Sequence, residues 1–328
     1  MDPHAQPWRK RLYAALVSGD REAVARTPKT DLHCHALLSA PLQVYADILG
    51  NPPPVPPAVF GSFKAFADYI GTYLLPALTG REAVRRIIRA AFEHMANDNI
   101  VYAEISFDLL LPEFIGVEPE AFAELIAEEC AQLKDRTIIA PEVGIARPLP
   151  ADQVERRLRP WLQTGIFRSV DLYDDETVGD VADFAPLYRL AKDHGLKLKA
   201  HAGELLGPEF VRLSVEVLEL DAVQHGVRAA EDSHVTDFLA ARGTTLHVCP
   251  TSNYSLGVVD SLESHPARQL HDRGVKLTVN SDDYTLFGAS VSDELLNLQR
   301  MGFDAAAIVQ VVANGLEQMP QPARATSG

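Results

Sequence analysis

Eight short runs rich in β-branched and aliphatic residues punctuate this chain, and most gaps between them are long enough for a helix. The runs are KTDLHCH (29–35), IVYAEISF (100–107), TIIAPEVGIA (137–146), FRSVDLY (167–173), LKLKAHA (196–202), DAVQHG (221–226), TTLHVCP (244–250) and VKLTVNSDD (275–283). Between them, REAVRRIIRAAFEHMANDN (81–99) places Val84, Ile87, Ile88 and Ala91 on one helical face. PEAFAELIAEECAQLKD (119–135) and SHVTDFLAARG (233–243) behave alike, and Gly243 stands where a C-cap glycine belongs. Eight strands, each followed by a helix, predict an α/β fold: a (β/α)8 TIM barrel with an insertion after the first strand. A doubly wound sheet shares the alternation and differs only in strand order, which a sequence does not display.

The insertion spans 41–80. Its NPPPVPPAVF piece is neither regular helix nor central strand, because proline lacks the N–H both require. FKAFADYIGTYLLPAL, which follows, reads as helix. In a barrel this segment lies over the C-terminal mouth as a lid, or packs on the flank. The chain 1–328 reads as a single barrel domain, with a helical extension at 1–27 and a flexible tail at 319–328.

Composition bounds the partners. The 328 residues, 47% of them hydrophobic, suffice for one large core. A formal net charge of −15 repels phosphate backbones, so no nucleic-acid partner is expected. No run of eighteen apolar residues occurs, so no membrane span is expected. Cys34, Cys130 and Cys249 are an odd set without a Cys-x-x-Cys, and the first twenty residues lack the apolar core of a signal peptide. Both point to a reducing, cytoplasmic location. Nothing in the pattern specifies an oligomeric state.

The unusual polar residues fall at the ends of the predicted strands. His33 and His35 close the first, and His201 and Glu204 follow the fifth in HAGE. His225 ends the sixth, and Asp282 and Asp283 end the eighth. In a barrel all these ends meet at one mouth. Residues two apart in a strand face the same side, so His33 and His35 can grip one ion together. Cys34 then faces the strand–helix packing layer, which weighs against a cysteine nucleophile. Three histidines and an aspartate are the ligand types of a catalytic zinc or similar divalent ion, one per chain. Glu204 fits an acid/base role, His225 would hold or deprotonate a water, and one of the aspartates could instead cap a helix.

PKTDLHCH, HAGE, QHGVRAAED, CPTSN and NSDDYTLFG run in this order from Pro28 to about residue 300. They resemble the signatures of the adenosine deaminase family, within the metal-dependent amidohydrolase superfamily. The resemblance implies a (β/α)8 barrel in which His33, His35, His201 and Asp282 bind zinc. It implies that Glu204 protonates a purine ring nitrogen, that His225 orients and deprotonates the water, and that Asp283 bonds to the hydroxide and the purine edge. The implied reaction is attack of metal-bound hydroxide on an aminopurine, releasing ammonia. The small zinc deaminases with Pro-Cys-x-x-Cys are a different class, absent here.

The departures concern the substrate. Where the family reads Leu-Asp-Gly after its His-x-His, this chain has Ala36, Leu37 and Leu38, so Leu37 replaces the aspartate that contacts a ribose 5′-hydroxyl. Asp174 in DLYDDE replaces a glycine that approaches the purine. Tyr284 replaces a proline, and Ser106 an arginine. Leu37, Asp174, Gly203 and Asp283 are the expected substrate contacts. The expected substrate is an adenosine-like nucleoside, a 5′-modified adenosine or a free adenine-type base. An amidohydrolase acting on another C–N bond of a small heterocycle, or a non-catalytic deaminase-like binding protein, is the alternative. Related barrels bridge two metals with a carbonate-modified lysine, but Lys197 and Lys199 lie inside the fifth run rather than at its end.

Overall fold

The computed structural model describes residues 7–320. Eight strands form one parallel sheet in sequential order: β1 (Lys29–His35), β2 (Ile100–Asp108), β3 (Ile138–Ala146), β4 (Ser169–Tyr173), β5 (Lys197–Ala202), β6 (Ala222–His225), β7 (Thr245–Val248) and β8 (Lys276–Val279). That order excludes the doubly wound alternative, whose sheet changes direction of growth at a switch point. All eight predicted runs become strands. The eighth is shorter than expected, because Asn280 to Asp283 leave the ladder to join the site.

The β8–β1 seam closes the barrel without a regular ladder. One parallel bridge pairs Cys34 with Asp282, and the Asp282 amide donates to the His33 carbonyl at 3.0 Å. The Leu32 amide donates to the Asn280 side chain at 2.9 Å. A side chain thus completes the pairing that backbone supplies elsewhere. The last helix, Ala305–Leu316, covers this seam. It approaches so closely that a Cβ at Gly315 would lie 2.1 Å from Thr30 Oγ1.

The outer helices follow the sequence pattern. Helix Arg81–Asn97 buries Val84, Ile87, Ile88 and Ala91 completely. Four such aliphatic side chains supply several kcal/mol at about 25 cal/mol per Å² of apolar surface. Helices Pro119–Leu133 and Ser233–Arg242 lie at the predicted places, and Gly243 caps the latter at φ 73°. The N-terminal extension holds helices Pro7–Ser18 and Arg21–Ala25, tied down by Arg21 bonding both Asp293 oxygens at 2.8 and 3.0 Å. Residues 1–6 of that extension and 321–328 of the expected tail lie outside the described residues. Met319, assigned to the tail, packs instead on Leu32, Tyr102 and Ala140.

In the insertion, the aromatic piece forms helix Phe63–Tyr69, a π turn Ile70–Leu74 and a 3-10 turn Leu75–Ala77. A further helix, Leu42–Leu49, precedes the prolines and was not anticipated. The extra residue in a π turn re-aims the side chains after it, a device common at functional sites. Here it turns Ile70 and Leu74 toward the strand ends.

Candidate active site

Four imidazoles converge at the C-terminal end of the barrel. The rings of His33 and His201 are 4.7 Å apart, those of His33 and His225 4.6 Å, and those of His201 and His225 4.9 Å. His35 lies 5.6 Å from His201. Asp282 Oδ1 is 3.7 Å from His33 Nε2 and 3.5 Å from His35 Nε2. Glu204 Oε2 is 3.5 Å from His225 Nε2 and 3.9 Å from His201 Nδ1. Nitrogens of His33, His35 and His201 all lie within 4.8 Å of one another, as do ligand atoms of His35, Asp282 and Asp283. Every residue expected to bind metal or act in acid/base chemistry therefore reaches one place.

The backbone is strained where these side chains are delivered. His225 (φ 59°), Asp282 (φ 55°) and Asp174 (φ 81°) occupy the left-handed region. Each such residue costs on the order of 1–3 kcal/mol, tolerated where surrounding structure over-determines it. Asp283 begins the short helix Tyr284–Phe287 but makes no capping hydrogen bond, so the capping alternative fails for it. Its Oδ1 is buried without a hydrogen-bond partner.

Burial sets the charge states. It pulls His35 down to about 3 and His225 to about 4, with neighbouring imidazoles adding to the effect. It also drives His33 well below its ordinary value. These rings are neutral, and His33 and His35 keep a lone pair for an ion. Burial opposes the charged form of His201 too, but Asp171 and Glu204 outweigh it and hold His201 well above the ordinary value. Burial, then the Glu204 charge, raises Asp282 to about 7; burial, then Asp282, raises Asp283 well above the carboxylate range. This is a crowded anionic pocket, which a cation would relieve. His33 Nε2 and Glu204 Oε1 are buried without hydrogen-bond partners. The donor set and these orphaned atoms fit a divalent ion bound by nitrogen and oxygen.

Four neighbours escaped the sequence reading. Asp171 Oδ2 lies 3.1 Å from His201 Nε2. Glu176 accepts from the amides of Glu204, Leu205 and Leu206 at 3.0, 3.0 and 2.7 Å, and so holds the HAGE turn in place. Both sit in DLYDDE, where only Asp174 drew notice. Asn253, which matches a glycosylation pattern in sequence, is fully buried. It links His225 to His265 in a chain with only one polarity. The Ala267 amide is a donor, so His265 Nδ1, 3.1 Å away, accepts. His265, pulled down to about 3 by burial, is neutral and carries its proton on Nε2. That proton points to Asn253 Oδ1 at 3.1 Å, and Asn253 Nδ2 donates to His225 Nδ1 at 3.2 Å. Neutral His225 therefore carries its own proton on Nε2, facing the pocket.

The remaining expectations divide. Leu37, Asp174 and Asp283 line a cavity of about 430 Å³ over the site. Gly203 does not; it makes the turn at φ 79°, where a Cβ would meet Val211 Cγ2 at 2.3 Å, and its carbonyl accepts from the Arg228 amide at 2.9 Å. Cys34 lies in the hydrophobic core with its thiol raised by burial, inert as a nucleophile. Lys199 is held by Glu104 and Glu142 at 3.2 and 2.5 Å, away from the metal-ligand candidates.

Comparison with known proteins places the chain among deaminases. The adenosine deaminase family profile matches residues 57–326. The chain is 32% identical over 275 residues to a putative adenosine/adenine deaminase of Treponema pallidum, covering 84% of this chain and 92% of that one. Adenine deaminase from Arthrobacter aurescens superposes with a TM-score of 0.82 at 25% identity, covering 90% and 94% of the two chains. An amidohydrolase from Burkholderia ambifaria solved with bound zinc shares the fold, with a TM-score of 0.78 at 23% identity over 90% and 86%.

Proposed function

This chain belongs to the adenosine deaminase family of hydrolytic deaminases, and on that premise we propose that it is a zinc-dependent deaminase of an aminopurine. The observation that carries the reading is the convergence of three buried imidazoles and the part-buried His35 with Asp282 and Glu204, with His33 Nε2 and Glu204 Oε1 unpartnered. His33, His35, His201 and Asp282 would hold one zinc ion. Such an ion, when bound, lowers the pKa of a water toward neutrality.

The chain's own groups do the rest. Glu204 takes up the proton that the attacking water gives up and delivers it to the ring nitrogen beside the amine-bearing carbon, since an aromatic ring resists attack until that nitrogen is protonated. His225, with its proton fixed on Nε2, orients the attacking oxygen by donating to it. This refines the expected role of base, because a neutral ring with Nε2–H has no lone pair there. Asp283, raised by burial and by Asp282, bonds to the attacking oxygen and the purine edge. Leu37 and Asp174 shape the substrate end. The substrate is a small aminopurine: an adenosine-like nucleoside, a 5′-modified adenosine or an adenine-type base. The acidic composition and the sequence pattern favour a cytoplasmic enzyme without nucleic-acid partners. No described helix is long and apolar enough to cross a membrane.

The test is ammonia release by zinc-loaded protein from a panel of aminopurines, with zinc per chain measured alongside. Turnover of at least one, lost on chelation and restored by zinc, is expected. A zinc-loaded, folded protein that deaminates none of them sinks the proposal.

A further inference from the structure

The cavity is far larger than a purine needs. Its volume is about 430 Å³, whereas a bare adenine fills about four water volumes of ~30 Å³ each. The two ends differ in chemistry. Apart from the Tyr45 hydroxyl, the polar lining groups come from strand ends and the loops just after them. The outer wall is built by the insertion, through Phe63, Phe66, Ile70 and Leu74, and faces Leu111 and Phe114 from the segment after β2.

No lining residue is a lysine or arginine, so the described wall offers no cation for a phosphate or carboxylate. For hydroxyls, partners remain at the strand ends, where Ser106 Oγ and Asp283 Oδ1 lack one, but not at the outer wall. Both Asp108 oxygens are already engaged, by the Leu110 amide and the Tyr173 hydroxyl. The Tyr45 hydroxyl donates to the Leu37 carbonyl. A sugar's hydroxyls buried against the outer wall would go largely unpaired, and each unpaired one is costly. Leu75 and Phe114 line the cavity yet are 38% and 58% exposed, apolar surface that an occupant of the outer chamber would cover.

We propose that the preferred substrate is a 6-aminopurine bearing an uncharged apolar arm, with the purine at the strand ends and the arm between the insertion and the Leu111–Phe114 segment. This rests on the deaminase reading above and narrows it. Bare adenine leaves the chamber empty, adenosine carries hydroxyls toward an apolar wall, and a nucleotide meets no cation.

Two homologous series test this: 9-alkyladenines, and 5′-alkylthio-5′-deoxyadenosines, with arms from methyl to butyl. Adenine, adenosine and AMP serve as references. Two quantities are read, kcat/KM of the zinc enzyme and, by calorimetry, affinity for the Glu204→Gln protein. Both should rise by about fourfold per methylene, the effect of burying one CH2. A gradient in the first series alone places the arm on the purine; one in the second alone places it beyond a ribose. Either supports the proposal. Phe114→Ser, at an exposed rim position where folding is not at stake, should flatten the gradient. A flat or falling gradient in both series, or AMP as the best substrate, overturns the proposal while leaving the deaminase reading intact. Graded binding without turnover of any compound overturns the deaminase reading and supports the proposed ligand class. Absence of both binding and turnover overturns both.

Discussion

Two buried charge clusters share the interior of this barrel, and they are built on opposite plans. Toward the strand starts, Lys199 contacts Glu142 at 2.5 Å, Glu104 at 3.2 Å and the Leu32 carbonyl at 2.9 Å. Lys197 and Tyr102 reach Glu104 at 2.6 and 2.9 Å, and Ser169 donates to Glu142 at 2.5 Å. Burial alone would raise Glu104, yet Lys199 and Lys197 bring it down to about 2. At the strand ends, by contrast, carboxylates crowd imidazoles of which burial keeps His33, His35 and His225 neutral, and buried atoms lack partners. In the lower cluster each carboxylate meets a lysine. The upper one is complete only with an ion and a substrate. Matched buried charge holds a fold in one arrangement, and unmatched buried charge is kept where something must bind.

Substitutions should separate the two clusters. The largest effect belongs to Glu204→Gln. A general acid contributes about 10²–10⁴-fold, so kcat should fall by that much while zinc content stays at one per chain. Loss of the metal instead would make Glu204 a ligand and erase its distinction from Asp282. Lys199→Met should act on stability, by about 3–5 kcal/mol, because it strands Glu104 and Glu142. Urea unfolding measures this, and the folded fraction should still bind zinc. A variant as stable as the parent would show that the lower cluster is not structural.

His265→Leu should be milder. It frees Asn253 and lets the His225 tautomer equilibrate, with kcat reduced about 10–100-fold, the usual size for a partner that orients a site residue. His265→Gln, which keeps a donor toward Asn253, should recover most of it, and nitrogen-15 shifts of His225 should report Nε2–H in the parent. The smallest effect belongs to Lys197→Met, whose side chain is 37% exposed; a pair of that kind contributes under about 1 kcal/mol. Its pH dependence has a definite sign. A carboxyl held below its unfolded value stabilises the fold above pH ~4.5 and loses that contribution as pH falls through about 2. The parent–variant difference should therefore be full at pH 7 and shrink at pH 3.

Much of this was legible along the chain, for physical reasons. Strand β1 was read to the residue from KTDLHCH, although its register against β2 slips between Lys29 and Thr30 and again between Asp31 and Cys34, which no pattern announces. The helix face of Val84, Ile87, Ile88 and Ala91 was read as well, since burial follows the 3.6 period. Partners that act through space were not legible. Glu176 holds the Glu204 turn from 28 positions away, and Asn253 joins His225 across the same separation. No period or spacing encodes such pairs. The π turn was also invisible, because one extra residue in a helix leaves the apolar pattern almost unchanged.

The sequence by itself determined the alternation of strands and helices, the strand-end placement of His33, His35, His201, His225 and Asp282, and hence the kind of chemistry. Those are local properties, written in side-chain periodicity and in the order of motifs. Only the tertiary structure decided the sequential strand order, the seam that joins Asp282 to His33, the polarity of the His265–Asn253–His225 chain and the apolar chamber beneath the insertion. Each depends on which distant residues share a few ångströms, and that is settled by closing the barrel, not by any stretch of chain within it.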